Sequence, residues 1–300
     1  MIKAQNLSKS FDNIVAIKGL DLTIEDGQVF GLIGTNGAGK STFLRMAAGI
    51  LKPDKGSITI DGKEIFENPE VKEDFFYISD DTAFFANTTP AEMATFYQKI
   101  YKNFSMQRFD ELMGRFELEK NRKISTFSKG MKKQLSVILG VSALTRYLFC
   151  DETFDGLDPV MRQAVKSLFA GDMATRKFTP IIASHNLREL EDICDNVGLL
   201  HKGGIILSKN LDDAKADVHK LQCVFRDDES KESAMKQLCV ITEENRGKLF
   251  TLTVRGTEEE IEEIMRAESP IYMEMLPLSL EEIFISETGV KGYDIKKIIC

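Results

Sequence analysis

Val29-Phe30-Gly31-Leu32-Ile33-Gly34-Thr35-Asn36-Gly37-Ala38-Gly39-Lys40-Ser41-Thr42 is the stretch whose reading decides the fold. Its first part, 29–33, is short and nearly all apolar, as a parallel strand buried on both faces requires. Residues Gly34 to Ser41 fit the pattern GxxxxGK(S/T) position by position, and 42–50 reads as a helix. Strand, glycine loop and helix in that order make a phosphate cradle. The glycines let backbone N–H groups turn inward, and the helix N-terminus adds partial positive charge. In such a cradle Lys40 reaches the β- and γ-phosphates of a nucleotide, and the Ser41 hydroxyl completes Mg²⁺ coordination.

Further along, Tyr147-Leu148-Phe149-Cys150 is a second apolar strand, and it ends in Asp151-Glu152. Beside a phosphate loop, Asp151 is expected to hold Mg²⁺ and Glu152 to polarise an attacking water. Catalytic groups of parallel sheets gather at strand C-terminal ends, which is where both carboxylates fall. A third buried strand at 179–184 and a helix at 159–173 extend the alternation that marks an α/β sheet. Short strands are expected at 2–7, 19–24 and 58–60, and mainly helix over 90–134.

Composition limits the alternatives. A hydrophobic content of 43% supports a packed core, while 29% charged residues rule out a membrane-embedded chain. No window approaches the roughly 18 consecutive apolar residues of a spanning helix, and the first residues show no apolar signal segment, so a cytosolic chain is expected. A net charge of −8 argues against nucleic acid as the main partner. The 5 cysteines, widely spaced and without a CxxC pair, are expected to be reduced and buried.

Three further marks resemble one family. Thr126-Phe127-Ser128-Lys129-Gly130-Met131-Lys132-Lys133-Gln134 resembles the ABC signature, with Phe127 in place of the usual Leu and Lys129 in place of the first Gly. Asp155-Gly156-Leu157-Asp158 resembles the D-loop, and Ala183-Ser184-His185 the switch histidine. The chain therefore resembles the ATP-binding subunit of an ABC transporter, with all marks in order over 1 to about 210. The resemblance implies a P-loop cassette with a RecA-like parallel core, an antiparallel β subdomain and a helical signature subdomain over about 83–140. It implies ATP and Mg²⁺ as cofactors and a sandwich of two copies, homodimeric or heterodimeric. There Ser128 and the Gly130 amide face the γ-phosphate held by the other copy's Lys40. It places His185 on that phosphate, Phe11 against adenine, and a separately encoded permease at the inner face of the cell membrane. The family's usual Gln is missing from Tyr77-Ile78-Ser79-Asp80-Asp81; Asp80 or Asp81 is its nearest equivalent. Asp80 is thereby a candidate metal contact, against the plainer reading of a solvated loop. His201 and His219 read as ordinary packed histidines.

After about 211 the texture changes to strand, helix, strand, strand, helix, strand at 221–225, 229–238, 240–242, 249–254, 257–267 and 271–275. That order is ferredoxin-like. The expected division is therefore 1–211 and 212–300, with a last helix at 279–286 and a polar tail from 287. The 277–284 segment resembles the ending of export-type subunits. A soluble ABC ATPase of translation or DNA maintenance is the competing function. Against it stand the single cassette, the acidic balance, and a stretch between Lys40 and Ser128 too short for long coiled coils.

Overall fold

Strands that are apolar on both faces pair stably only inside a sheet covered on both sides by helices. β3 (Phe30–Ile33), β7 (Tyr147–Asp151) and β8 (Thr179–Ser184) are buried along their whole length. A computed structural model of the chain, describing residues 1–211, 213, 218–283 and 285, places all three in one sheet. With β6 (Phe75–Ile78), β9 (Asn196–His201) and β10 (Gly204–Asn210), the order is β10-β9-β3-β8-β7-β6. Phe30 stands opposite Ile181 on one side and Asn196 on the other, both in parallel register. Each phosphate motif therefore leaves the same edge of the sheet, following β3, β7 or β8.

A second sheet, β2-β1-β4-β5, is antiparallel. Its strands β1 (Ile2–Phe11) and β2 (Ile14–Ile24) form one long hairpin, with β4 (Lys55–Ile60) and β5 (Lys63–Glu64) beyond. The sequence suggests shorter pieces because the β1–β2 register shifts after Ala4, Leu7 and Lys9, which breaks the two-residue alternation. The core between the sheets is closed by α1 (Lys40–Ala47), whose Phe43, Leu44 and Met46 are buried.

The expected helical stretch holds α3 (Pro90–Ile100), α4 (Met106–Arg115) and α5 (Lys129–Ser142), preceded by the short α2 (Pro69–Lys72). Their starts are written locally. Thr89 and Glu92 form a capping box at α3, Ser105 caps α4, and the Ser128 hydroxyl accepts from the Met131 amide at 3.2 Å to cap α5. Helix α6 (Pro159–Thr175) begins the same way, with Asp158 as cap and Pro159 at the first turn. The short α7 (Leu187–Glu191) follows β8.

By internal contacts the chain divides into two compact units, Met1–Ser208 and a second beginning at Lys209. The second contains β11 (Val218–Val224), α8 (Asp228–Gln237), β12 (Cys239–Arg246), β13 (Leu249–Arg255), α9 (Glu258–Glu268) and β14 (Tyr272–Leu276). Its antiparallel sheet runs β12-β13-β11-β14, the ferredoxin-like order. Leu221, Leu252, Val254, Ile261 and Met265 form its own core. Of the last expected helix, Phe284 and 286 lie outside the described residues, as do the tail from 287, Cys300 and the expected boundary residue Asp212. Cys150, Cys194 and Cys223 are free and buried, but Cys239 is exposed, a correction that follows from its place on edge strand β12.

Arg146 ties the two sheets of the first unit together by bonding Asp26 after β2 and Asp61 after β4. Burial opposes ionisation of Asp26. Hydrogen bonds from the Met1 amino group, Tyr147 and Arg146 outweigh it and hold the carboxyl down at about 2. A depressed carboxyl stabilises the fold above its ordinary value and loses that contribution as pH falls towards the folded value. Arg146→Met should therefore lower the melting temperature most between roughly pH 5 and 7, with the gap to the parent narrowing below about pH 4. Melting curves across pH check this; a gap independent of pH would contradict it.

Candidate nucleotide site

The loop after β3 can pass so close to its neighbours only because it is glycine-rich. A Cβ on Gly34 would stand 2.5 Å from the Leu200 carbonyl oxygen, and one on Gly39 2.5 Å from that of Ala16. Gly39 also sits at a φ of 109°, which only glycine adopts without strain. The loop folds around the Lys40 ammonium, which is 5% exposed and donates to the carbonyls of Gly34 at 2.7 Å and Thr35 at 3.4 Å. The Thr35 carbonyl also accepts from the Ala38 amide at 3.0 Å. Lys40 Nζ lies 3.3 Å from Glu152 Oε1, so the two motifs meet directly.

Glu152 is held from several sides. Its amide donates to the Ala183 carbonyl at 2.9 Å, and its carbonyl accepts from Lys133 Nζ at 2.5 Å. Its Oε2 is 2.8 Å from His185 Nδ1. A carboxylate can only accept, so Nδ1 carries the proton of that bond. Glu152 sits at φ 47°, a left-handed conformation that costs a non-glycine residue about 1 kcal/mol or more. That strain sits on the residue the sequence marks for water activation.

Asp151 is fully buried at the end of β7. Burial pushes its carboxyl up, while the Ser41 hydroxyl at 2.8 Å and the Tyr77 hydroxyl at 3.0 Å favour the charged form. Burial and the neighbouring Asp151 charge push the Tyr77 hydroxyl up to about 12, so it remains a donor at neutral pH. The Ser41 and Asp151 oxygens are the hard donors Mg²⁺ takes, and that ion commonly completes its shell with phosphate oxygens and water. Among the described residues no group of three His, Cys, Asp or Glu converges as an all-protein metal site.

One cavity of about 460 Å³ is lined by many of the expected site residues, though not by Gly34, Thr35, Ala38 or Asp151. Asn36, Gly37, Gly39, Lys40, Ser41 and Thr42 line one part, and Glu152 and His185 another. Asp80 lines it as well, with Asp155, Ile14 and Ala16, which the sequence did not single out as site residues. Phe11 is not among the lining residues. It lies at the hairpin tip opposite Ile14, 42% exposed, with the Lys9 ammonium 5.7 Å from its ring centroid. Ser128 and Gly130 are likewise absent from this cavity. They open α5, where a Cβ on Gly130 would meet the Gly156 carbonyl oxygen at 3.4 Å. Tyr77 and Lys133 are the other partners that the sequence did not mark.

Residues 17–155 match the family model described as ABC transporter. Over 291 residues the chain is 33% identical to the ABC transporter ATP-binding protein YtrB of Bacillus subtilis, spanning 97% of this chain and 99% of that one. The chain belongs to the ABC transporter ATP-binding family. Within that family it is also similar to the bacitracin transport ATP-binding protein BcrA of Bacillus licheniformis, 31% identical over 69% of this chain and 68% of that protein. A solved ATP-binding subunit of an ABC transporter superposes with a TM-score of 0.66 at 26% identity, covering 72% of this chain and 92% of its own. The ABC cassette is thus the fold of the first unit, and the protein is an ABC ATPase that binds ATP.

Proposed function

We propose that this ATPase hydrolyses Mg-ATP between two nucleotide-binding subunits and drives a separately encoded permease that exports its substrate. The observation that carries the reading is the convergence of Lys40, Glu152 and His185 in one cavity beside the Ser41–Asp151 pair. Lys40 and the loop amides bind the β- and γ-phosphates, and Ser41 and Asp151 hold the metal. Bound Mg²⁺ would neutralise phosphate charge. Glu152 accepts the proton of the water that attacks the γ-phosphorus, releasing ADP and phosphate. His185 fixes the Glu152 carboxylate through Nδ1–H, and its other ring nitrogen, which then carries no proton, accepts from the attacking water beside the γ-phosphate. Adenine lies on the β1–β2 hairpin side, against Ile14 and Ala16, with Phe11 next to them.

Ser128 and Gly130 do not line their own chain's cavity, which supports a composite site completed by a second copy or a related subunit. Its serine and helix N-terminus would supply donors to the γ-phosphate. An exposed aromatic group, Phe85 with Phe96 at 4.9 Å between ring centroids, offers the apolar surface for the permease. No described helix is long and apolar enough to cross a membrane, which supports a cytoplasmic subunit held at the inner face through that contact. Residues 1–211 carry the nucleotide chemistry in this reading, and 212–300 form an accessory domain. The 277–284 ending, which resembles that of export-type subunits, favours export.

Mixing Ser128→Arg with Lys40→Ala subunits tests the composite site. Each variant alone should be nearly inactive, whereas a mixed pair keeps one intact site and regains up to about half the parent's turnover. If each variant alone hydrolyses ATP at the parent's rate, the sandwich is excluded.

A further inference from the structure

Lys133 has 1% of its side chain exposed, and a buried ammonium is stable only where its charge and its N–H groups find partners. Two such partners come from separate motifs. Nζ donates to the Glu152 carbonyl at 2.5 Å and lies 3.7 Å from Asp80 Oδ1. Lys133 itself belongs to α5, the helix capped by Ser128. Three segments, the turn after β6, the residue after β7 and the signature helix, therefore meet on one cation.

Asp80 lines the same cavity as Lys40 and Glu152. Left alone, its carboxylate would repel a triphosphate, and that repulsion grows as water leaves the site. Glu152, for its part, must be held in a left-handed backbone conformation. We infer that Lys133 is a positioning residue that offsets the Asp80 charge and fixes the Glu152 backbone, tying the signature helix to the hydrolytic glutamate. This rests on the nucleotide site proposed above. It gives the Asp80 charge to Lys133 and leaves the metal to Ser41 and Asp151.

A double-mutant cycle in the full chain tests it, with ATP affinity measured in EDTA and in Mg²⁺ for Lys133→Gln, Asp80→Gln and the pair. Lys133→Gln keeps a polar amide at this position but no longer offsets a charge at position 80. Lys133→Gln should weaken metal-free ATP binding about tenfold, and the double variant should return to within about threefold of the parent. Loss in the double variant as large as in Lys133→Gln would overturn the charge pairing, because a purely structural lysine gives that result. Should Lys133→Gln fail to fold, Asp80→Gln decides alone. Tighter metal-free binding than the parent supports the pairing, and unchanged affinity overturns it. A parent that binds no ATP overturns the nucleotide site, and this inference with it.

Discussion

Glu152→Gln should lower ATP turnover at least about 100-fold while leaving Mg-ATP bound, in line with the loss of a general base. Gln keeps the shape of the side chain and an oxygen that still accepts from His185 Nδ1, now 2.8 Å from Oε2. It removes the charge that takes the water proton and that lies 3.3 Å from Lys40 Nζ. Freed of that anion, Lys40 attracts the γ-phosphate more strongly, so affinity is expected to rise. Binding without turnover should also accumulate the paired, ATP-filled state, visible by light scattering as a doubled mass. Single-turnover hydrolysis is the measurement. Near-parental rates would move the base to another group, with His185 the next candidate.

Much of this site can be read from residues whose role is local. Gly34 and Gly39 stand where any Cβ would strike a carbonyl oxygen, and Lys40 and Ser41 follow them at fixed spacing, so chain order alone encodes the cradle. Asp151 and Glu152 announce themselves as carboxylates closing an apolar strand. The capping residues Thr89, Ser105, Ser128 and Asp158 are equally local, which is why the helices are found near their expected places.

What escaped the sequence depends on distant packing. Tyr77 contacts Asp151 only because β6 pairs with β7 in parallel register, Ile78 opposite Cys150. Nothing distinguishes Lys133 from Lys132 along the chain, yet helix α5 buries the first and turns it towards Glu152. The β1–β2 hairpin hides behind its register shifts, and with it the placement of Ile14 and Ala16 on the cavity. β9 and β10 went unmarked because short apolar runs carry little period of their own. Asp80 is a candidate metal contact by resemblance alone, and its ion pair with Lys133 at 3.7 Å depends on the packing of helix α5 and is not legible in the chain.

Lys40→Ala removes the buried ammonium around which the phosphate loop folds, together with its bonds to Gly34, Thr35 and Glu152. In the proposed site that cation would neutralise phosphate oxygens through charge-assisted hydrogen bonds worth about 1.5–3 kcal/mol each. Two such bonds lost weaken binding by about 3 kcal/mol or more, roughly 100-fold in affinity. The Glu152 carboxylate also loses the cation 3.3 Å away, which adds repulsion towards the phosphates. Folding should survive, because Gly34 and Gly39 still shape the loop. The decisive measurement is a calorimetric titration of Mg-ATP into the parent chain and into Lys40→Ala, with folding checked by circular dichroism. One ATP should bind per parent chain, and affinity should fall at least about 100-fold in the variant. Equal affinities in the two folded proteins would contradict the assignment of the phosphate site.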